Sequence, residues 1–125
     1  MKIEKVMIVD DDEDVRAISV LAARKIGNWA VVSVGSGDEA VALAPVERPD
    51  VILLDVMMPA PDGPATMALL RDDPVTATIP IIFLTAMAQR HDIERYLELG
   101  ACGVICKPFD ATALPDEIRR ILQAE

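Results

Sequence analysis

The chain has 125 residues, a length that suits one domain able to bury a core without disulfide or metal staples. Its formal net charge of -9 excludes sequence-independent binding to nucleic acid, which needs a basic surface. Aromatics make up only 3% of the residues, so the core is expected to be aliphatic, and no apolar run approaches the roughly 20 residues that span a bilayer.

The N-terminus, Met1-Lys2-Ile3-Glu4-Lys5, leads straight into a strand-like run rather than a signal-peptide pattern. Lys5–Val9 reads as a buried strand, and the spacing predicts a helix over 12–26. Its apolar positions Val15, Ile18, Ala22 and Ile26 share one face, acids fill its first turn, and Gly27-Asn28 stops it. A second strand follows at Ala30–Val34. Ser36-Gly37-Asp38-Glu39 then matches a capping box and opens a short helix to about Ala44. Pro45, Pro49 and Asp50 punctuate the link to a third strand at 51–54. A third helix starts near Asp62-Gly63-Pro64, where a first-turn proline is tolerable, and Asp73-Pro74 ends it. The fourth strand is expected at 79–84, with Pro80 near its start. A fourth helix at Arg90–Leu99 carries Ile93 and Leu97 inward and stops at Gly100. The fifth strand is 104–106. The last helix begins near Asp110 and shows Leu114, Ile118, Ile121 and Leu122 on one face.

This is βα alternation five times over, with no internal repeat, linker or low-complexity segment between units. Continuous apolar strands say that the sheet is covered on both faces, and its crossovers are right-handed. The expected fold is a doubly wound parallel α/β sandwich of flavodoxin-like type, with strand order 2-1-3-4-5. Four of the strands end on polar groups: Asp10-Asp11-Asp12, Asp55, Thr85 and Lys107. In an open parallel sheet those ends share one edge, where such sheets bind ligands. Two like charges about 4 Å apart repel by roughly 4 kcal/mol at an effective dielectric of 20. A divalent cation removes that repulsion, and hard oxygen donors select Mg²⁺, Mn²⁺ or Ca²⁺ over zinc. Asp55 is the best nucleophile, since a carboxylate can attack phosphorus and form an aspartyl phosphate. The Lys107 ammonium and the Thr85 hydroxyl can neutralise phosphoryl oxygens.

The segments IVDDDEDVR, PDVILLDVMMPAPDG, IIFLTA and GVICKPF, in this order and at strand ends, resemble response-regulator receiver domains of bacterial two-component signalling. The resemblance covers essentially the whole chain. It implies that Asp10 and Asp11 hold Mg²⁺ and that Asp55 is both phospho-acceptor and ligand. The carbonyl of Met57 is then a further protein ligand, and Thr85 and Lys107 are the remaining site residues. It implies a cis Lys107-Pro108 bond, a small residue at Ala86 beside the phosphoryl group, and tuning of phosphoryl lifetime by Met57 and Met87. One position departs. Receivers usually carry Tyr or Phe where this chain has Val104, and in the usual account that ring swings inward when the Thr hydroxyl moves. With no ring to swing, readout is expected through the loop from Thr85 to Gln89 and the helix that begins near Arg90.

The resemblance implies a histidine kinase or histidine phosphotransfer protein as donor, and output by protein–protein contact through the fourth helix, fifth strand and fifth helix. A monomer or weak dimer is expected, with no nucleic-acid or membrane partner. A phosphorelay intermediate that passes the phosphoryl group on is the alternative. Residues 1–125 are expected to form a single stand-alone receiver, a switch rather than an enzyme, with no output domain and Met1 and Glu125 as the ends of a whole gene product. Asp10-x-Asp12 also resembles the start of haloacid-dehalogenase phosphatases, but that reading leaves Asp55 idle and needs more chain. An EF-hand starting at Asp10 would place its Gly at Val15 and its Glu at Leu21, and a flavodoxin-type cofactor binder would want a phosphate loop in place of three aspartates.

The remaining polar residues have ordinary readings. Asp12, Glu13 and Asp14 suit a helix N-terminus, and Asp62 a turn and cap. His91 suits solvated surface and Trp29 edge-strand packing. Cys102 and Cys106 would lie about 13 Å apart on one strand, too far for a disulfide. Reduced, partly buried thiols in a cytoplasmic protein are the expectation.

Overall fold

The apolar runs form a parallel sheet whose three central strands are buried on both faces, while the two outer strands are partly exposed. The computed structural model describes residues 1–125, and its strands are β1 (Lys5–Val9), β2 (Ala30–Val34), β3 (Val51–Asp55), β4 (Ile81–Thr85) and β5 (Gly103–Cys106). Between and after them run α1 (Glu13–Lys25), α2 (Gly37–Glu47), α3 (Gly63–Asp72), α4 (Arg90–Leu99) and α5 (Leu114–Leu122). The order is β2-β1-β3-β4-β5, as the alternation implied. Every pairing is parallel. Side chains alternate along each strand, so one continuous apolar run feeds two cores. Met7, Val9, Ile52, Leu54, Ile81 and Phe83 pack under α2, α3 and α4. Val6, Ile8, Val51, Leu53, Ile82 and Leu84 pack under α1 and α5.

The sheet is pinned at its amino edge by a side chain that a loop reading does not reveal. Asp50 Oδ2 accepts from the amides of Glu4 and Lys5 at 2.8 and 2.9 Å, which fixes the start of β3 against the start of β1. At the same edge the chain ends meet, the Glu125 amide donating to the Met1 carbonyl at 3.1 Å.

The helices depart from expectation mainly in rotation. On α1 the buried residues are Ser19, Ala22 and Ala23, while Ile18 and Ile26 are about half exposed. Small side chains let this helix lie close on the sheet, and the Ser19 hydroxyl is satisfied by the Val15 carbonyl at 2.9 Å. The bulkier apolar residues stand to one side. On α4 it is Tyr96 that is buried; Ile93 is half-buried and Leu97 exposed, because the ring reaches the core where an aliphatic chain one residue on does not. Pro45 lies inside α2 rather than in a linker, and the helix runs on to Glu47. Lys5 holds that last turn, its Nζ donating to the Glu47 carbonyl and carboxylate, both at 3.1 Å. At the other end of α2, Ser36 caps the Glu39 amide, but the Glu39 carboxylate returns to the amide of Gly35 at 2.9 Å rather than to that of Ser36. β4 starts two residues later than expected, since Pro80 has no amide for the ladder. α5 starts at Leu114, after a turn in which Asp110 accepts from the Thr112 hydroxyl and amide; those bonds hold its carboxyl below the usual range.

Smaller expectations stand or fall individually. Trp29 is buried just before the edge strand β2, with the Arg119 guanidinium 4.8 Å from its ring centroid. His91 is exposed. The two cysteines are free thiols but exposed, not partly buried. No helix is long and apolar enough to cross a membrane.

Gly63 opens α3 directly against β3: a Cβ there would sit 2.6 Å from the Asp55 carbonyl oxygen and 2.7 Å from the Val56 Cα. Both obstacles are backbone, so Gly63→Ala is expected to cost about 1–3 kcal/mol of stability, read by urea unfolding. An unchanged midpoint would mean that the start of α3 yields freely.

Candidate functional site

Four strands, β1, β3, β4 and β5, deliver one group each to the carboxyl edge. Asp10 follows β1, and its backbone is held on both sides: its amide donates to the Val34 carbonyl at 3.2 Å, and its carbonyl accepts from Arg16 Nη1 at 2.7 Å. Its carboxylate is fully buried, with Oδ1 accepting from the Asp12 amide at 3.0 Å. Asp55 closes β3 and is 3% exposed. Thr85 closes β4, also fully buried. Lys107 follows β5, its amide tied to the Thr85 carbonyl at 2.8 Å. The sheet order puts Asp10 and Asp55 on the neighbouring strands β1 and β3, at the point where the chain's progress across the sheet reverses direction.

The Lys107 ammonium lies 3.0 Å from Asp10 Oδ2 and 3.3 Å from Asp55 Oδ2, so one cation joins both buried carboxylates. Asp55 Oδ1 accepts from the Met57 amide at 3.3 Å. Thr85 Oγ1 accepts from the Met87 amide at 3.0 Å, which leaves the hydroxyl proton free to be donated. Asp11 stands at the rim, exposed, and a carboxylate oxygen from each of Asp10, Asp11 and Asp55 lies within 4.8 Å of the others. Asp10, Asp11, Asp55 and Lys107 are therefore brought together as expected. Met57 contributes its amide to Asp55, and its side chain is exposed. The Lys107–Pro108 bond is cis, as the resemblance implied, and so is Ala60–Pro61. Val104 is not at the carboxylates; it pairs with Phe83 and packs, half-buried, against the core beneath α4.

Burial, then the neighbouring Asp10 charge, push the Asp55 carboxyl up to about 6, against the opposing pull of Lys107. Burial works to lower the Lys107 pKa, but its bonds and ion pairs to Asp10 and Asp55 outweigh that and leave it above its usual value. Three carboxylates with one ammonium are short of positive charge. Hard oxygen donors with a net negative charge fit a divalent cation of the Mg²⁺ type. Asp12 and Asp14 are no part of this group: Asp12 caps α1, accepting from the amides of Asp14 and Val15, which removes the calcium-loop reading.

The sequence does not reveal the grip of Arg16 on the Asp10 carbonyl or the close approach of Gly63 to β3. The signal for Arg16 is slight, one base two positions after a run of acids. Gly63 was read as the start of a helix, without its contact with the Asp55 backbone.

Fold and pocket define a doubly wound α/β protein whose functional groups straddle its switch point. The chain belongs to the response regulator receiver domain family, whose model matches residues 6–119. It is 41% identical over 120 residues to the probable transcriptional regulator ycf27 of Guillardia theta, covering 96% of this chain and 46% of that protein. It is 37% identical over 118 residues to the response regulator PleD of Caulobacter vibrioides, covering 94% of this chain and 26% of that protein. The chain thus spans about half or less of these curated relatives. Among solved structures, the chemotaxis response regulator CheY4 of Vibrio cholerae superposes with a TM-score of 0.88 at 28% identity, covering 96% of this chain and 99% of that one. The receiver domain of sensor histidine kinase PA1611 from Pseudomonas aeruginosa, described with a magnesium ion coordinated in its active site cleft, gives 0.84 at 29% identity, covering 97% and 98%. Receiver domains are signalling switches, and this chain shares their fold throughout the matched region.

The raised carboxyl carries a sign for stability. Its folded pKa of about 6 exceeds the usual 3.8, so the protonated form favours the fold; that contribution is complete below 3.8 and lost as pH rises through about 6. In metal-free protein, Asp55→Asn is expected to add about 1–3 kcal/mol near pH 7, shrinking toward zero near pH 4, by urea unfolding. Mg²⁺ should narrow the gap near pH 7 by binding the wild-type carboxylates. A gain that is the same at both pH values would mean that charge is not its source.

Proposed function

We propose that this receiver accepts a phosphoryl group from a phosphohistidine donor onto Asp55, with Mg²⁺, and signals by protein–protein contact. The observation that carries this reading is the Lys107 ammonium bridging two buried carboxylates inside an acidic cluster at the switch point. A structural ion pair would need one acid, not three.

Asp10, Asp11, Asp55 and the Met57 carbonyl are the residues that would hold the metal. When bound it supplies the positive charge that Lys107 alone does not, lowering the cost of bringing an anionic phosphoryl group among carboxylates. The chain's own groups do the rest. Asp55 attacks as the carboxylate: a bond forms from its oxygen to phosphorus, the phosphorus–nitrogen bond to the donor imidazole breaks, and the nitrogen leaves with the electron pair and takes up a proton. The Met57 amide and Lys107 steady the Asp55 oxygens. Lys107 and the free Thr85 hydroxyl proton are placed to meet the oxygens of the transferred group, and water attack on the acyl phosphate later resets the site. Self-catalysed phosphorylation and dephosphorylation are the only chemistry in this reading.

The donor's landing surface lies beside Lys107. A cleft of about 300 Å³ is lined by Val15, Ile18, Ala86, Lys107, Pro108 and Phe109, and it borders the apolar residues that α1 leaves outside the core. The output face is assigned to α4, β5 and α5. A phosphorelay role, passing the group on, would use the same Asp55 and the same landing surface. A haloacid-dehalogenase-like phosphatase is disfavoured by Asp12, which is engaged as a helix cap.

Intact-protein mass after incubation with a small acyl phosphate and Mg²⁺ tests the chemistry. One phosphoryl adduct is expected in wild type, none in Asp55→Asn and none without metal. Lys107→Ala is expected to slow adduct formation about 10²-fold or more. An adduct that survives Asp55→Asn would sink the assignment. Ile18→Glu is expected to slow transfer from a phosphohistidine protein while leaving the small-donor reaction unchanged; equal slowing of both would mean that α1 is not the landing surface.

A further inference from the structure

The fourth helix is fastened by one side chain. Of its ten residues only Tyr96 is buried, and the ring stands edge-on to Phe83 of β4, with centroids 5.3 Å apart and planes at 74°. Phe83 is paired with Val104 on β5, which packs against the same cluster. The small residue at 104 therefore leaves this part of the core to a ring supplied by α4.

Beside that ring lies a groove of about 550 Å³, lined by Val56, Met57, Met58, Met87 and Tyr96 itself, with Asp62, Asp92 and Arg95 among its polar residues. No hydrogen bond of the chain engages the Tyr96 hydroxyl, yet no buried side-chain polar atom lacks a partner, so the hydroxyl reaches the groove's solvent while the ring stays in the core. Two of the groove's walls are wired to the site. The Met57 amide donates to Asp55 Oδ1, and the Met87 amide donates to Thr85 Oγ1. A displacement of Asp55 or Thr85 is carried by those two bonds to the walls of the groove.

We infer that Tyr96 is the lever by which the phosphoryl site positions α4: its ring exchanges between the seat on Phe83 and the groove beside Met57 and Met87. This rests on Asp55 being the phospho-acceptor. When a phosphoryl group is bonded to an Asp55 oxygen and draws the Thr85 hydroxyl toward it, the Met57 and Met87 amides shift with their acceptors, and the groove between them reshapes. The ring can follow because its far end already borders that space, where the Asp62 and Asp92 carboxylates offer acceptors for its hydroxyl. Since nothing else on α4 is buried, the helix moves with the ring.

Tyr96 is the only tyrosine in the chain, so biosynthetic replacement by 3-fluorotyrosine gives a single fluorine resonance. With Mg²⁺ and a small acyl phosphate, a displaced resonance is expected to grow in proportion to the adduct measured by mass on the same sample. Mg²⁺ alone, and Asp55→Asn with the phosphodonor, should leave it in place. Full adduct with an unmoved resonance would overturn the lever while leaving the phospho-acceptor reading intact. No adduct would overturn both. As a second readout, Tyr96→Leu is expected to form adduct at the wild-type rate but to lose the phosphorylation-dependent amide shifts along α4, which Tyr96→Phe retains. If those shifts persist in Tyr96→Leu, the ring is only an anchor.

Discussion

Two buried carboxylates on neighbouring strands, joined by one ammonium, are the constraint from which the rest of this molecule follows. Asp10 and Asp55 must end adjacent strands, so β1 and β3 must pair in a fixed register; Lys107 must reach both, so β5 must end at the same edge. The Asp50 carboxylate, accepting from two amides at the opposite edge, and the amide of Lys107 on the Thr85 carbonyl enforce that alignment with hydrogen bonds to the backbone rather than with the charges of the site. The charges work against folding. Asp55 is held in a place where its ionised form is disfavoured, a stored electrostatic imbalance that a cation can relieve.

Legibility from the sequence followed the physics of each feature. The strands and their order were readable because burial on both faces leaves unbroken apolar runs, and alternation with helices leaves few topologies. The site was readable because the groups at strand ends are of types that rarely end a buried strand without a reason. Helix rotation was not. On α1, Ile18 and Ile26 made the more apolar stripe, yet Ala22, Ala23 and Ser19 are the residues that let the helix close on the sheet. On α4 the periodicity favoured Ile93 and Leu97, and Tyr96, with a polar tip that suits either environment, carries the burial. Pro45 read as a breaker, because nothing local reveals that Lys5, forty-two positions away in sequence, holds the turn beyond it.

Those rotations have functional weight. Ile18, which α1 does not bury, lines the cleft beside Lys107, so the departure from a simple amphipathic helix leaves an apolar surface where the proposed donor would approach. The Val104 departure is answered in the same way. The core beneath α4 still holds an aromatic pair, but one ring comes from the helix and the other from β4, so in the proposed readout the coupling element would be attached to the part that moves.

The meeting of the two chain ends has a consequence for the architecture of such molecules. Met1 and Glu125 touch at the edge of the sheet opposite the site, so a short loop could join them without stretching either. The fold is in this sense nearly circular, and the point at which the polypeptide is opened is separable from the arrangement of its working groups. A circular permutant cut at an exposed turn should therefore keep the strand ends in register, and any module fused at either end would be tethered from one common corner of the surface.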